Sequence, residues 1–364
     1  MISKKRENIL ITGGAGFIGG WLVKKLIMLN EFNIINVDKL SYASDLSIIN
    51  ELLDSSPTKK QFYKFIKVDL CNYKDIKRVL SEYRPKLVFH LAAESHVDRS
   101  IDNPFNSINN NILCTLNLLE SIRNLWSNLS LEEKKVFRLI HISTDEVFGS
   151  LGNKGLFKET TKYNPSSPYS ASKAASDHLV KAWNKTYGIP SILTFSSNNF
   201  GPEQFPEKFI PTIILKALKN DPIPIYGIGD NIRDWLFVED HIEALLVISK
   251  KGKPGKSYCI GGFSEMSNIN LANKVCEILD ILKPKGNSYK QQIKFVYDRP
   301  GHDFRYAIDS SLLRQELSWE PKNKFEINLE LTIRWYVDNL DWCYKIMDKS
   351  LFKLERLGRK KLNF

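Results

Sequence analysis

Seven residues near the start of the chain constrain its fold more than any other stretch: Gly13-Gly14-Ala15-Gly16-Phe17-Ile18-Gly19. They follow a short apolar run, residues 8–12, that reads as a buried strand, and they open an amphipathic stretch, residues 17–29, that reads as a helix. A turn with so little side chain lets backbone approach a pyrophosphate, whose charge then sits among the unpaired N–H groups of a helix N-terminus. The spacing is G-x-x-G-x-x-G, not G-x-G-x-x-G, and a glycine motif on its own is weak evidence.

Its neighbours give it weight. Further apolar runs at residues 33–37, 65–68, 87–90 and 137–143 alternate with helical stretches. That rhythm means parallel strands joined by right-handed crossovers, so the expected fold is an α/β, Rossmann-like doubly wound sheet. Asp38 ends the second strand, 25 residues after Gly13, where a carboxylate would bond ribose hydroxyls and repel a 2′-phosphate. NAD is therefore expected over NADP. Lys39, expected to face solvent, and Leu40 and Ser41 complete that loop as candidate cofactor contacts. Asp69-Leu70 falls at the distance expected for adenine, and Leu91-Ala92-Ala93 supplies small residues where backbone must pass the cofactor.

Beyond about residue 198, prolines and glycines cluster and the rhythm becomes irregular, with helices expected at 270–282 and 326–339. The expected organisation is a cofactor-binding domain, 1–198, then a smaller substrate-binding region, 199–342, and a basic tail, 343–364. The first boundary is soft, leaving the chain free to cross back.

Two strings carry candidate chemistry: Thr144-Asp145-Glu146 at the end of the fifth strand, and Tyr169-Ser170-Ala171-Ser172-Lys173. Tyr169 and Lys173 are four apart, so on a helix they share a face. A free tyrosine has a pKa of about 10, and a neighbouring ammonium with the positive nicotinamide ring would bring it down toward the working range of a base. Thr144 can bond the same substrate oxygen. Asp145 and Glu146 add a second acid and a second base, which simple transfer of a hydride to a nicotinamide does not need. Together these residues suggest an oxidation coupled to loss of water.

Net charge is +11, but residues 345–364 contribute +5 and residues 4–7 contribute +2. The small remainder suits a dinucleotide and a diphosphate better than nucleic acid, and the basic end reads as a solvated segment. No apolar run approaches the ~20 residues of a membrane span, and no signal peptide is evident, so a cytosolic protein is expected. The five cysteines, Cys71, Cys114, Cys259, Cys276 and Cys343, have irregular spacing and no C-x-x-C pair. Free thiols are expected and no metal site.

The chain resembles the extended short-chain dehydrogenases/reductases, and specifically the nucleotide-diphosphate-glucose 4,6-dehydratases. The resemblance lies in His90-Leu-Ala-Ala-Glu-Ser-His-Val-Asp-Arg-Ser100, His141-Ile-Ser-Thr-Asp-Glu-Val-Phe-Gly149, Ser197-Asn-Asn-Phe-Gly-Pro-Glu-Gln-Phe-Pro-Glu-Lys208, Tyr226-Gly-Ile-Gly-Asp-Asn-Ile-Arg-Asp-Trp235 and Asp298-Arg-Pro-Gly-His-Asp-Phe-Arg-Tyr306, and covers roughly residues 7–342. It implies that Tyr169 deprotonates the glucose C4 hydroxyl as hydride passes to a tightly held NAD. Glu146 then takes the C5 proton, Asp145 protonates the departing C6 hydroxyl, and the hydride returns to C6, feeding 6-deoxysugar (rhamnose-type) synthesis.

The resemblance also places Asn198, Lys208 (with Phe209 beside it) and Arg233 on the diphosphate. Pro224 to Tyr226 would flank base and ribose, and Asn268 and the Asp298–His302 turn would close the pocket. Ser95 and Thr144 would face the sugar, and Asn110 and Asn199 the cofactor. dTDP-glucose is the substrate most readily implied; the alternatives are UDP-glucose, a nucleotide-sugar 4-epimerase and a silent NAD-binding module. A homodimer is implied, paired through helices at 106–125 and 169–187. Phe148 and Phe200 stand where the family has tyrosines, with a possible change in active-site hydration at Phe148. Cys114 replaces a glycine on the helix behind the site.

Overall fold

The protein is described here by a computed structural model covering residues 6–350. In the first half, β1 (Asn8–Thr12), β2 (Asn33–Asp38), β3 (Tyr63–Lys67), β4 (Leu87–His90), β5 (Arg138–Thr144) and β6 (Ser191–Ser196) alternate with helices. The second half holds β7 (Asn198–Phe200), β8 (Ile223–Tyr226), β9 (Ile232–Phe237), β10 (Ser257–Ile260), β11 (Glu265–Ser267) and β12 (Ile293–Val296). Seven strands form one all-parallel sheet in the order β10-β6-β5-β4-β1-β2-β3.

Successive side chains of β1 bury on opposite faces, so both sides of the sheet need an apolar cover. Leu10 packs with Ile35, Val37, Leu118 and Ile122, while Ile9 and Ile11 pack with Leu22, Leu26, Leu245 and Ile248. Strand order reverses at β1, which pairs with both β2 and β4. The crevice at the carboxyl ends of β1 and β4 is therefore the topological place for a dinucleotide.

The chain does cross back. The helix Val238–Lys251 covers the first helix, Phe17–Leu29, and β10 extends the main sheet beside β6. The remaining second half wraps a separate core in which Ile214, Trp235, Val275, Phe325 and Ile333 meet. β7 and β11 flank β9 there, and β8 pairs with β12.

Several expected boundaries move. The late helices run Asn268–Leu282, capped by Ser267, and Phe325–Asp338. The third strand sits two residues earlier than expected and the fifth one later. The expected continuous helix at 106–125 is Pro104–Ile108, a π-helical turn Asn109–Leu113, then Cys114–Ser127. The basic end is not wholly solvated: the helix Leu340–Ser350 buries Cys343, Ile346 and Met347, because these three fall on one helical face. Residues 351–364 lie outside the described part. Among the described residues no helix is long and apolar enough to cross a membrane.

Candidate active site

Two grooves meet above the carboxyl edge of the sheet. The first is lined by Gly13, Gly16, Phe17, Ile18, Gly19, Asp38, Lys39, Ser41, Asp69, Leu70, Leu91, Ala92, Ala93 and Asn110, and ends at Thr144, Tyr169, Lys173 and Asn199. A Cβ on Gly13, whose φ is +75°, would lie 2.6 Å from the Ala92 amide nitrogen, and one on Gly19 would lie 2.1 Å from the Gly13 carbonyl oxygen. The turn is thus closed to a side chain at Gly13 and Gly19, where backbone alone can stand, the cradle a pyrophosphate requires.

Asp38 is buried, its carboxylate accepting from the amides of Ala15 (3.1 Å) and Leu40 (2.8 Å) and from Ser44 Oγ (3.1 Å). Leu40, with φ +60°, shapes this turn but does not reach the groove wall. Lys39 does not face solvent as expected. It donates to Asn110 Oδ1 at 2.6 Å and pairs with Glu94 at 3.5 Å, because the groove's far wall offers both acceptors. Cys114 also lines this groove instead of standing behind it.

The chemistry-bearing residues converge where the grooves join. Thr144 ends β5, and its hydroxyl accepts from the Glu146 amide at 3.3 Å, capping the 3₁₀ turn Asp145–Phe148. Ser167 and Ser170 form a capping box for the helix Pro168–Tyr187, with Pro168 in its first turn. That start places Tyr169 and Lys173 one turn apart on the buried side. Lys173 Nζ donates to the Ile142 carbonyl at 2.8 Å.

Burial pushes the Tyr169 phenol well above its ordinary value, reinforced by the charges of Glu146, Asp145 and Asp177 and opposed by a hydrogen bond with Thr144. The downward shift expected from the sequence includes the positive charge of a nicotinamide ring, which this balance of protein groups does not contain. Burial lowers the pKa of Lys173 and Asp177 raises it. The two carboxylates differ. Asp145 is 2 % exposed, and burial, then Glu146 and Asp234, push it well above the usual carboxylate range. Burial also raises Glu146, but Arg299, Arg233 and Lys208 pull it back toward the charged form. The cations thus act on Glu146 more than on Asp145, the asymmetry that a division into proton donor and acceptor needs.

The second groove is lined by Ser95, Glu146, Asn198, Asn199, Lys208, Phe209, Pro224, Tyr226, Arg233, Asn268 and His302. Lys208 Nζ donates to the Ser95 carbonyl at 2.8 Å, and Arg233 lies over the Tyr306 ring at 4.2 Å while donating to the carbonyls of Ile232 and Asp303. Asn199 is held by His241 (2.8 Å), and Asn198 Oδ1 is buried with no hydrogen-bond partner among the described residues. Asp298 is not on the wall; it stands outside the turn and accepts from His302 Nδ1 at 2.6 Å. Phe148 packs in the core against Phe157, Tyr163 and Phe195, and Phe200 against Trp235, Phe237 and Phe325, so neither phenyl ring touches a groove.

Three groups went unnamed in the sequence reading. Arg299 lines the second groove and pairs with Asp98 at 2.9 Å; Asp98 also accepts from Tyr226 at 2.7 Å. Glu207, beside Lys208, accepts from Tyr42 at 2.7 Å and from Arg99 at 3.0 Å. All of these except Tyr42 sit inside the strings that carried the resemblance, which was the available signal.

A family model described as GDP-mannose 4,6 dehydratase matches residues 10–332. The dTDP-glucose 4,6-dehydratase of Shigella flexneri is 50 % identical over 348 residues, covering 93 % of this chain and 95 % of its own. That of Neisseria meningitidis serogroup B is 49 % identical over 357 residues, covering 97 % and 99 %. Among solved structures, the Bacillus anthracis dTDP-glucose 4,6-dehydratase in complex with NAD superposes with a TM-score of 0.81 at 38 % identity, over 93 % of this chain and 99 % of that one. The Streptomyces venezuelae enzyme of the same name, with NAD and TYD bound, gives 0.83 at 34 % over the same shares. With matches of this length and closeness laid over a glycine cradle and a split carboxylate pair, the chain belongs to the GDP-mannose 4,6 dehydratase family of nucleotide-sugar dehydratases.

Proposed function

We infer that the protein is an NAD-dependent dTDP-glucose 4,6-dehydratase, forming the 4-keto-6-deoxy sugar. The observation that carries this reading is the placement of the adjacent carboxyls Asp145 and Glu146 beside Thr144 and Tyr169 where the two grooves join, with the cations Arg299, Arg233 and Lys208 acting on Glu146. NAD, when bound, supplies the two-electron acceptor that takes hydrogen from C4 of the glucose and returns it at C6. The Gly13–Gly19 turn would hold its pyrophosphate, Asp38 its ribose, and Asp69 and Leu70 its adenine.

Tyr169 accepts the proton of the C4 hydroxyl, with Thr144 bonding the same oxygen. A phenol raised first by burial needs positive charge close by to become a base; Lys173, one turn along the same helix, and a bound nicotinamide ring would supply it. Once C4 is a ketone, the C5 hydrogen is acidic and Glu146 removes it. Asp145, kept neutral, gives its proton to the C6 hydroxyl, which leaves as water. Lys208, Arg233 and Arg299 would meet the diphosphate. Pro224, Tyr226, Asn268 and His302 would enclose the nucleoside.

An epimerase acting at C4 shares the fold, as the Thermotoga maritima UDP-glucose 4-epimerase does at 27 % identity. Such a reaction gives the carboxylate pair nothing to do. Exposed Phe105, Ile108, Leu113 and Tyr187 on the two helical segments fit a homodimer, and free thiols beside each other fit a cytoplasmic protein. Purified protein incubated with dTDP-glucose or UDP-glucose, with no added NAD, should convert the former to a product lighter by one water. No loss of water from either, even with NAD supplied, would overturn the assignment.

A further inference from the structure

Of the five cysteines, two approach each other. Cys71 and Cys114 are 43 residues apart, yet their sulfurs lie 3.1 Å from one another. Cys71 is half-buried in the loop that follows Asp69 and Leu70 on the adenine side of the cofactor groove, its amide donating to Asp69 Oδ1 at 2.9 Å. Cys114 lines the groove from the opposite wall, as the first residue of the helix that follows the π-helical turn. That helix already grips the loop: Asn117 Nδ2 donates to the carbonyls of Leu70 and Cys71, each at 2.9 Å. A disulfide needs its sulfurs at about 2.05 Å, so closure asks for a movement of about 1 Å by two side chains whose backbones are already held together.

We propose that Cys71 and Cys114 are a redox-sensitive thiol pair, closed to an intramolecular disulfide by a peroxide, which staples the adenine-side loop to the facing helix and slows exchange of bound NAD. The oxidation balances in two steps. The Cys71 sulfur takes one oxygen from hydrogen peroxide, the O–O bond breaks, and one water leaves. The Cys114 sulfur then attacks that sulfenic sulfur, the S–S bond forms, and a second water leaves. Two thiols lose two hydrogens, and one peroxide becomes two waters.

Cys71 acts first for two reasons. It is the more accessible of the two, and the burial that raises both thiols acts more weakly on it, with Cys114 as a hydrogen-bond partner working in the opposite direction. The Lys39 ammonium lowers both thiol pKa values and Asp69 raises them. The effect on the cofactor follows from position. Leu70 and Cys114 both line the cofactor groove, and a loop covalently tied to the helix cannot swing aside by local opening to release a bound dinucleotide. Asp69 makes the site a three-donor set, its oxygen and the two sulfurs within 4.8 Å of one another. The nearby ammonium opposes a cation there.

The slowed exchange rests on the adenine lying between Asp69, Leu70 and Cys114; formation of the disulfide does not. The two are therefore read separately on the holoenzyme. After peroxide and blocking of free thiols, peptide mass spectrometry should find a Cys71–Cys114 cross-link that dithiothreitol reverses. It should be absent from both Cys71→Ser and Cys114→Ser and retained in Cys276→Ser. Exchange of bound NAD against labelled NAD should become several-fold slower on oxidation and recover on reduction, while in each serine variant, whatever its own starting rate, oxidation should leave the rate unchanged. Two thiols oxidised or blocked separately with no cross-link would overturn the proposal. So would stoichiometric Zn²⁺ binding that shields both sulfurs from peroxide. A cross-link that leaves exchange unchanged would overturn its link to the cofactor, with the dehydratase assignment untouched.

Discussion

The two grooves are made of different materials. The cofactor groove begins on backbone: a turn that excludes a Cβ at Gly13 and Gly19, Ala92 and Ala93 close beside it, and the buried Asp38 carboxylate bonded to the amides of Ala15 and Leu40. The nucleotide groove is made of long charged side chains tied across great stretches of chain, Asp98 to Arg299 and Glu207 to Arg99 and Tyr42. A backbone cradle recognises a shape and fails abruptly when a side chain enters it. A charge network spreads its work over several partners and fails by degrees. The catalytic acids stand on the seam, and each side tunes them: burial raises both, and the cations Arg299, Arg233 and Lys208 of the nucleotide side oppose that rise at Glu146.

The sharpest break of this picture is at the seam. Asp145→Asn with Glu146→Gln should abolish detectable water loss, a fall of about a hundred- to ten-thousand-fold or more. Abstraction of the C4 hydrogen should stay measurable as reduced cofactor by absorbance. Unchanged dehydration would remove both residues from the proposed roles. Next in size is Gly19→Ala, whose methyl would meet a main-chain oxygen that no rotamer change can relieve. The variant should purify without NAD and recover little activity when NAD is added, as read by cofactor content after denaturation.

Much of this contrast was legible beforehand, and the physical reason is range. The glycine turn, Asp38, Asp69 and the Thr144 strand end are each set by a strand and the few residues after it, so order along the chain already places them. The π-helical turn at 109–113, the side-chain links of Lys39 and the direction of the Tyr169 shift depend on what the fold brings from elsewhere. No local pattern shows that Lys173 donates to the Ile142 carbonyl. Asp98 and Arg299 were present in strings already singled out, but their pairing is a fact of tertiary structure alone.

A smaller effect tests the claim that the nucleotide side fails by degrees. Asp98→Asn keeps the shape but removes the charge that steadies Arg299 and the acceptor that anchors Tyr226. The expected loss is about 2 kcal/mol of substrate binding, roughly thirtyfold in KM, with kcat little changed. A fall in kcat at unaltered KM would place Asp98 in the chemistry instead.

The smallest expected effect concerns stability, and it bears on how the seam is held. Asp145 has a folded pKa well above its unfolded value, driven first by burial. Such a carboxyl binds its proton more tightly when folded, so its contribution to stability is complete below the ordinary carboxylate range and is lost as pH rises toward the folded pKa. Asparagine cannot ionise and has no such loss. Asp145→Asn should therefore match the parent protein's Tm near pH 4 and exceed it progressively above that pH. At neutral pH the variant should melt at a measurably higher temperature than the parent. Thermal melts of both proteins across pH 4–8 measure it directly. Parallel curves would mean that Asp145 ionises freely in the folded protein, and the division into one neutral acid and one charged base would have to be given up.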